Sequence, residues 1–376
     1  MIYLNNAATS YPRLPQVVEA VKRSLLAPPQ EPGRCGFEDP LMACRSAIAK
    51  LYGVADPLRV LLTTSATLGC NQILFGLPLQ AGSHVITSCM EHNSVLRPLN
   101  ELAARNECSL SVLPLEDDGS LSIDRVGGAL RPDTRLMAFV HVSNVTGAIF
   151  PVQALALLAA GRNVPLLIDD SQGAGLVPLD LASLPGKVFL VAAGHKALQG
   201  PPGTGFFIVP DAVSLSPWIT GGTGVHSVED RQPPMLPYRL EAGTPNSCGL
   251  AGLLAGVTHV LETTPAVLAE HRRTLAEHLV KHLPSPWTHI APGATADYRA
   301  GVVSLVHPTM KPSEIGLMLQ EIYGIETRWG LHCAPLAHRH LGTFPDGTLR
   351  IGLGEGNTIE EVEQLIEALH QSGNLT

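Results

Sequence analysis

Three clusters of polar residues each follow a short apolar run in the sequence, and their residue types could support chemistry together. The clusters contain Asn144, then Asp169 with Gln172, then His195 with Lys196. Short apolar runs are typical of buried strands, and ligands bind beyond the carboxyl ends of the strands in an open α/β sheet. The three clusters would therefore face one crevice. Each cluster alone is also typical of helix caps and turns, so the prediction depends on the three occurring together.

A lysine near an aspartate in such a crevice indicates Schiff-base chemistry. Pyridoxal phosphate needs a lysine amine for its aldehyde and an acid opposite its pyridinium nitrogen. It also needs a phosphate site, which the turn at residues 64–67 could supply through hydroxyls, amide groups and the positive end of a helix. The same turn is equally typical of an ordinary helix N-cap.

The seven cysteines include no Cys-x-x-Cys pair, which predicts a reduced, cytoplasmic protein with free thiols. Most buried thiols behave as small hydrophobic groups, so a reactive cysteine needs a special environment. His332, Cys333, His338 and His340 offer soft metal ligands, although their spacing matches no standard zinc pattern. A metal-binding protein without catalytic activity is therefore the alternative from a different functional class.

The elements that must position these residues alternate along the first two thirds of the chain. Strands are predicted at residues 84–87, 136–142, 166–168, 188–192 and 206–209, and a helix is predicted at 67–76. This order predicts an α/β fold with a mostly parallel sheet covered on both faces. Long amphipathic helices dominate beyond residue 260, so we place a large domain at 15–258 and a smaller domain at 1–14 with 259–376.

Amphipathic patterns predict helices near both ends of the chain. In the first of these helices, one face carries Leu14, Val18, Val21 and Leu25. The last helix, at 358–369, begins with a capping box made by a threonine and a glutamate three residues later.

Composition limits the classes of function. The chain has 376 residues, 45% of them hydrophobic, which is enough for a packed core and excludes a disordered protein. Charged residues make up 15%, against about 25% in typical domains, and this favours a surface covered by a second copy of the chain. The net charge of −8 argues against nucleic-acid binding. We expect no membrane span and no signal peptide, because the apolar runs are short and the first residues lack a basic segment.

Four motifs, in the expected order and spacing, make the chain similar to a known family. They are Ile168-Asp169-Asp170-Ser171-Gln172, then Gly194-His195-Lys196 with Gly200-Pro201-Pro202-Gly203-Thr204-Gly205, then Glu241-Ala242-Gly243-Thr244-Pro245-Asn246, and Arg328-Trp329-Gly330-Leu331-His332-Cys333-Ala334. With them, the chain resembles the class V, fold-type I pyridoxal-phosphate enzymes, and within these the group II cysteine desulfurases and selenocysteine lyases. The resemblance implies a large domain with a seven-stranded, mostly parallel sheet and a smaller α+β domain.

The resemblance also implies which residues contact the cofactor ring. Lys196 would bind the aldehyde and move the proton at the substrate Cα. Asp169 would pair with the pyridinium nitrogen and keep it protonated, and Gln172 would bond the ring hydroxyl. His92 would stack on the ring and could move protons.

The cofactor phosphate would be held from two subunits. The amides of Ala66 and Thr67, the Thr67 hydroxyl and His195 would contact it within one subunit. Thr244 would reach it from the other subunit, so the active enzyme would be a homodimer. The family usually has a serine at the position of Ala193, where it helps to bind the phosphate.

For the substrate, the resemblance implies that Asn144, beside the cofactor, and Arg350 hold an amino-acid carboxylate, Arg350 through a bidentate fork. Cys333 would be the nucleophile, and positive charge from Arg328 and His332 would favour its thiolate form. The implied reaction converts L-cysteine to L-alanine and leaves a persulfide on Cys333. An acceptor, such as a second protein, would then take the sulfur.

Alternatives of the same chemistry stay open at this point. Selenocysteine differs from cysteine by one atom, so a selenocysteine lyase, another C–S lyase or an aminotransferase of the same class is an alternative. Cys35 is a second candidate reactive thiol, although an inert thiol is the simpler interpretation of it.

Overall fold

The computed structural model describes residues 1–28, 39–211, 213–291 and 297–373. Cys35, the second candidate thiol, lies outside these ranges. The strands of the described residues are Ile2–Tyr3 (β1), Val60–Thr63 (β2), His84–Ser88 (β3), Ser109–Leu113 (β4), Thr134–Val140 (β5), Leu166–Asp169 (β6), Val188–Ala193 (β7), Gly205–Ile208 (β8), Thr288–Ile290 (β9), Val302–Val306 (β10), Ile325–Glu326 (β11), Arg328–Gly330 (β12) and Thr348–Gly352 (β13).

The helices of the described residues lie between these strands and cover them. They are Pro15–Leu26 (α1), Pro40–Leu51 (α2), Ala66–Gly76 (α3), Asn93–Ala104 (α4), Ile123–Ala129 (α5), Val152–Gly161 (α6), Ser247–Thr263 (α7), Pro265–Lys281 (α8), Pro312–Tyr323 (α9), Pro335–His340 (α10) and Ile359–Gly373 (α11). The five predicted strands agree with β3, β5, β6, β7 and β8 to within two residues at each end.

The main sheet has seven strands in the order β2-β8-β7-β6-β5-β3-β4. All neighbouring pairs are parallel except the two that involve β8, which runs antiparallel to both β2 and β7. The central strands are buried on both faces, which is why they read as continuous apolar runs in the sequence. Separate apolar clusters occupy the two faces of the sheet. The predicted α/β fold with a mostly parallel sheet is confirmed.

A second, antiparallel sheet has the order β12-β13-β10-β9 and packs over its own apolar cluster. Its strands were not predicted from the sequence. The division into domains at residue 258 stays a prediction: α7 spans that residue, and the chain bends by 85° between α7 and α8. No single described helix is long and apolar enough to cross a membrane; only α7 and α8 taken together, with the bend between them, reach that length and apolar composition.

Helix α1 packs on α7 through only part of its apolar surface. Val17 is buried. The side chain of Val21 lies against Gly252 of α7, where an added Cβ would be only 2.7 Å from it. Val18 and Leu25, on the predicted apolar face, are 54% and 67% exposed. At the other end of the chain, Thr358 and Glu361 form the predicted capping box of α11, each accepting the other's backbone N–H at 3.3 Å.

Gly205, at the start of β8, lets the first turn of α3 approach the sheet closely. A Cβ at this position would lie 2.9 Å from the carbonyl carbon of Ser65 and 3.0 Å from the amide nitrogen of Ala66. Both contacts are with backbone, which cannot move aside as a flexible side chain can. The amino end of α3 is therefore placed by the absence of a side chain on the neighbouring strand.

We predict that Gly205→Ala lowers the free energy of unfolding by about 1–3 kcal/mol, as overpacked sites commonly do. The matched control is Gly128→Ala in α5, where a Cβ would meet no atom within 4 Å and alanine favours the helix by up to about 1 kcal/mol. Urea unfolding of both variants measures the difference. Equal midpoints would show that α3 can shift without cost.

Candidate active site

A cavity of about 190 Å³ opens at the carboxyl ends of the parallel strands. Ten of the eleven predicted site residues line it: Ala66, Thr67, His92, Asn144, Asp169, Gln172, His195, Lys196, Cys333 and Arg350. The eleventh, Thr244, is exposed and lines a separate cavity of about 380 Å³. The fold thus brings together all the predicted site residues except the one expected to act in a partner subunit.

Asp169 ends strand β6 and is 3% exposed. Its Oδ1 accepts the Ser171 amide N–H at 3.0 Å, and its Oδ2 lies 3.4 Å from the Ser94 hydroxyl oxygen, which is closer to His92 Nδ1 at 2.9 Å. Backbone pairing between Val140 and Asp169 fixes the strand on one side. The side chain of Asp169 is therefore held in place by the Ser171 amide and by the strand that carries it.

Lys196 follows β7 in the tight turn that begins at Gly194. Burial lowers the pKa of its amine to about 8, although the negative charge of Asp169 opposes that shift. The positive charges of Arg350 and Arg328 act in the same direction as burial. Lys196 can thus shed and recover a proton near neutral pH, as a lysine with a catalytic role must.

His92 caps the amino end of α4, and its hydrogen bonds fix its tautomer. Its Nδ1 accepts the Ser94 amide N–H at 3.0 Å, so the hydrogen of the neutral ring lies on Nε2. Burial lowers the pKa of His92 to about 4. At neutral pH the imidazole is therefore an uncharged ring in the cavity wall, with one N–H to donate.

The amino end of α3 has the donors that an anion requires. The Ser65 hydroxyl accepts the Leu68 amide N–H, and no acceptor within the helix can reach the amides of Ala66 and Thr67. His195 lies in the same cavity, and burial lowers its pKa to about 4, so its ring is neutral.

Two hydrogen bonds join three residues of the cavity wall, Arg350, Asn144 and His332. The Nη1 of Arg350 donates to the Asn144 carbonyl at 2.9 Å, and the Asn144 side-chain amide donates to the His332 carbonyl at 2.7 Å. Arg350 is 2% exposed, and its Nε has no partner among the described residues. A buried guanidinium of this kind still requires an acceptor, and a carboxylate supplies one.

Cys333 is the only exposed cysteine among the described residues; Cys248 is half-buried and the other four are buried. The expectation that His332 adds positive charge beside it is wrong. His332 is buried, and burial with Arg350 and His338 nearby holds its pKa well below the ordinary value, so its ring is neutral. The cations that interact with the Cys333 sulfur are instead Lys196 and Arg350, while Arg328 is an exposed residue of the same cavity wall.

The alternative metal site receives no support from the described residues, where no group of three or more His, Cys, Asp and Glu side chains could hold a metal ion. His332 and His338 do lie close, with ring centroids 5.5 Å apart. His340, however, is exposed, and the Nε2 of His332 is committed to Thr348 at 3.0 Å.

The sequence matches the family described as aminotransferase class-V over residues 2–365. The chain belongs to this family. A curated cysteine desulfurase of Klebsiella pneumoniae strain 342 is 33% identical over 338 residues, which cover 88% of this chain and 81% of the relative. One from Escherichia coli strain K12 is 33% identical over 303 residues, covering 78% and 72%.

Solved structures agree with this family. The class-V chain superposes on the cysteine desulfurase CsdA of Escherichia coli with a TM-score of 0.89 and 27% identity, covering 99% of this chain and 94% of the other. The apo cysteine desulfurase of Thermococcus onnurineus NA1 gives a TM-score of 0.91 at 26% identity, with 100% and 95% covered. The predicted membership of the class V enzymes and the predicted fold type are confirmed.

Sequence reasoning assigned no role to Glu91, although it lies beside His92. It is fully buried, its Oε1 accepts the Ser88 hydroxyl at 2.7 Å, and its Oε2 has no partner among the described residues. Burial raises the pKa of Glu91 to about 8, and the nearby charge of Asp169 adds to the rise. A neutral Glu91 leaves Asp169 as the carboxylate of this class-V site. The position of Glu91 in the turn before α4, next to His92, was the signal in the sequence that could have identified it.

We predict that Glu91→Gln removes a pH-dependent loss of stability. The folded pKa of Glu91 is raised, so folded wild type keeps a proton that the unfolded chain releases between pH 4.5 and about 8. Across that window, wild type should lose about 1.4 kcal/mol of unfolding free energy per pH unit relative to the glutamine variant. Urea unfolding at several pH values measures the gap.

The control for this measurement is Glu101→Gln, which removes an exposed carboxylate paired with Arg105. Its effect should stay within about 0.5 kcal/mol at every pH. A gap between wild type and Glu91→Gln that does not change with pH would mean that Glu91 is ionised in the folded protein.

Proposed function

We propose that this class-V enzyme is a cysteine desulfurase that converts L-cysteine to L-alanine and keeps the sulfur as a persulfide on Cys333. The observation that carries the proposal is the position of the exposed Cys333 in the same cavity as Lys196, Asp169 and Arg350. An aminotransferase would need the lysine, the acid and the arginine, but not a thiol. The names of the curated relatives support the same reaction.

The cavity fits pyridoxal phosphate as the cofactor. Among the buried polar atoms without a partner in the described residues, five belong to cavity-lining side chains: Asn144 Oδ1, Ser171 Oγ, His195 Nδ1, His332 Nδ1 and Arg350 Nε. Unsatisfied buried groups are costly, so they indicate a polar ligand. When bound, pyridoxal phosphate withdraws electrons from the Cα of an attached amino acid.

The described residues would hold the cofactor at both of its ends. Lys196 would bind the aldehyde, Asp169 would pair with the pyridinium nitrogen, and the neutral ring of His92 would stack on it. The amides of Ala66 and Thr67 would bind the phosphate with the positive end of α3. Gln172 donates its amide N–H to the Ala7 carbonyl at 2.8 Å, which leaves its oxygen for the ring hydroxyl.

Lys196 would carry the proton of the reaction. With its pKa lowered to about 8, the amine can take the proton from the substrate Cα and return it to the product.

Arg350 Nε and the second amide hydrogen of Asn144 would hold the substrate carboxylate. The Cys333 thiolate would attack the substrate sulfur; as the new S–S bond forms, the substrate C–S bond breaks and its electron pair remains with the three-carbon product.

Thr244 would complete the phosphate site of a second copy of the chain, which makes the active form a homodimer. Its exposure supports this assignment, as does its place on a cavity separate from Lys196. A thiol of an acceptor, such as a second protein, would then attack the outer sulfur of the Cys333 persulfide; the S–S bond to Cys333 breaks, and Cys333 is left as a thiolate.

We predict that Lys196→Ala abolishes covalent binding of pyridoxal phosphate, because the variant lacks the amine that the aldehyde requires. Borohydride reduction followed by mass spectrometry of the Lys196 peptide, with the visible absorption of the protein, provides the measurement. The exposed Lys281→Ala serves as the control and should bind the cofactor as wild type does. A cofactor label on another lysine of the wild-type protein would contradict the assignment.

We predict that Cys333→Ser lowers alanine formation from L-cysteine by roughly 100-fold or more, since a hydroxyl cannot accept the sulfur. The protein-bound persulfide should disappear with it. Cys248→Ser, at the half-buried thiol of α7, is the matched control and should keep both products. Persulfide and alanine at wild-type rates in Cys333→Ser would refute the role of Cys333.

A further inference from the structure

The turn that carries Cys333 has an uncommon backbone. His332 and Cys333 have φ angles of +47° and +58°, in the left-handed region that residues with a side chain seldom adopt. Two such residues in succession persist only where surrounding contacts hold them. The Asn144 side chain donates to the His332 carbonyl and the Asn93 amide donates to the Cys333 carbonyl, both at 2.7 Å.

Hydrogen bonds through Ser304 and Thr348 also fix the orientation of the His332 ring. The Ser304 hydroxyl donates to the Val145 carbonyl at 2.6 Å, so its only hydrogen is used. Thr348 Oγ1 lies 3.0 Å from Ser304 Oγ and must therefore be the donor of that pair. The Thr348 oxygen can then only accept from the Nε2 of His332, which lies 3.0 Å away.

The direction of these hydrogen bonds determines which nitrogen of the His332 ring carries the hydrogen. Its Nε2 carries the hydrogen, which the Thr348 carbonyl also accepts at 3.2 Å. Its Nδ1 is buried and has no partner among the described residues, so a second hydrogen there would have no acceptor. The ring is thus held as one neutral tautomer, and giving up its Nε2 hydrogen would break its hydrogen bonds to Thr348.

We propose that Ser304, Thr348 and His332 are positioning residues, whose one-directional hydrogen-bond chain holds the left-handed turn of Cys333 in its reactive conformation. The hydrogen-bond chain begins at Val145, beside Asn144 in the loop that follows β5, and crosses β10 and β13 of the second sheet to the turn of the nucleophile. It therefore sets where the thiol lies relative to Asn144 and Arg350. This inference rests on the proposed desulfurase function.

The test compares Thr348→Val, which removes the hydroxyl while keeping the volume, with Thr348→Ser, which retains it. With L-cysteine as the substrate, Thr348→Val should lower kcat for alanine formation by about 10-fold or more, since small displacements of a reacting group are costly. Its KM should change by less than about twofold, because no carboxylate contact is removed. Thr348→Ser should restore kcat to within about threefold of wild type.

A control variant separates this effect from the loss of any buried hydroxyl. Thr87 is as fully buried as Thr348, and its hydroxyl donates to the Ala138 carbonyl at 2.8 Å within the large sheet. Thr87→Val should keep the wild-type kcat. If it lowers kcat as much as Thr348→Val, the effect is structural and the proposal is wrong.

A second readout does not depend on turnover. The rate at which iodoacetamide alkylates Cys333, followed on its peptide by mass spectrometry, should change by about 10-fold in Thr348→Val and return in Thr348→Ser. If Thr348→Val aggregates, Ser304→Ala gives the same test, because Thr348 then loses its acceptor and can rotate away from His332. Wild-type alkylation and kcat in both hydroxyl-deleted variants would overturn the proposal.

The two readouts also distinguish the proposals from each other. If wild type forms no alanine from L-cysteine but the alkylation rates separate as described, the proposed function fails and the positioning chain stands. If alanine and persulfide form at normal rates in all the variants, the function stands and the positioning chain fails.

Discussion

The site depends on one residue that joins two sheets. Asn144 follows a strand of the parallel sheet; its side chain donates to the His332 carbonyl, and its own carbonyl accepts from Arg350. Lys196 and Asp169 belong to the parallel sheet, whereas Arg350 and the turn of Cys333 belong to the antiparallel one. Together with the bond from Ser304 to the Val145 carbonyl and the bond from the Asn93 amide to the Cys333 carbonyl, these two hydrogen bonds hold the Lys196 side of the site at a fixed distance from the Cys333 side. Catalysis by two groups requires that separation to be constant to within a fraction of an ångström.

The electrostatics of the cavity follow from burial more than from composition. His92, His195 and His332 would bring three positive charges if they were protonated, but burial is the largest cause of the lowered pKa of each. The neutral rings leave the arginines and Lys196 as the cations, with Asp169 as their counter-charge. The positive charge of the arginines therefore does not depend on the protonation of a histidine near neutral pH.

The sequence predicted the parallel sheet well and the second sheet poorly, for a physical reason. Buried parallel strands are continuous apolar runs, whereas β13 alternates polar and apolar residues and β12 is only three residues long. Local pattern also could not tell which of two adjacent acids lies in the cavity. Successive side chains at the end of a strand point to opposite faces, so Asp169 lines the site. Asp170 turns away and accepts from His141 and Tyr52, both at 2.7 Å.

Contacts made between distant parts of the chain were the least predictable part of the site. The charge state of His332 could not be inferred from its place beside Cys333, because it depends on Thr348 and on burial by the second sheet. The same contacts explain why a single thiol differs from the other described cysteines. Cys333 is exposed, and its left-handed turn is held by hydrogen bonds that the Asn144 side chain and the Asn93 amide donate to the carbonyls of His332 and Cys333. Packing of the Cys333 side chain does not hold it. A sulfur atom placed in this way can meet a substrate within the cavity and an acceptor outside it without a large movement of the chain.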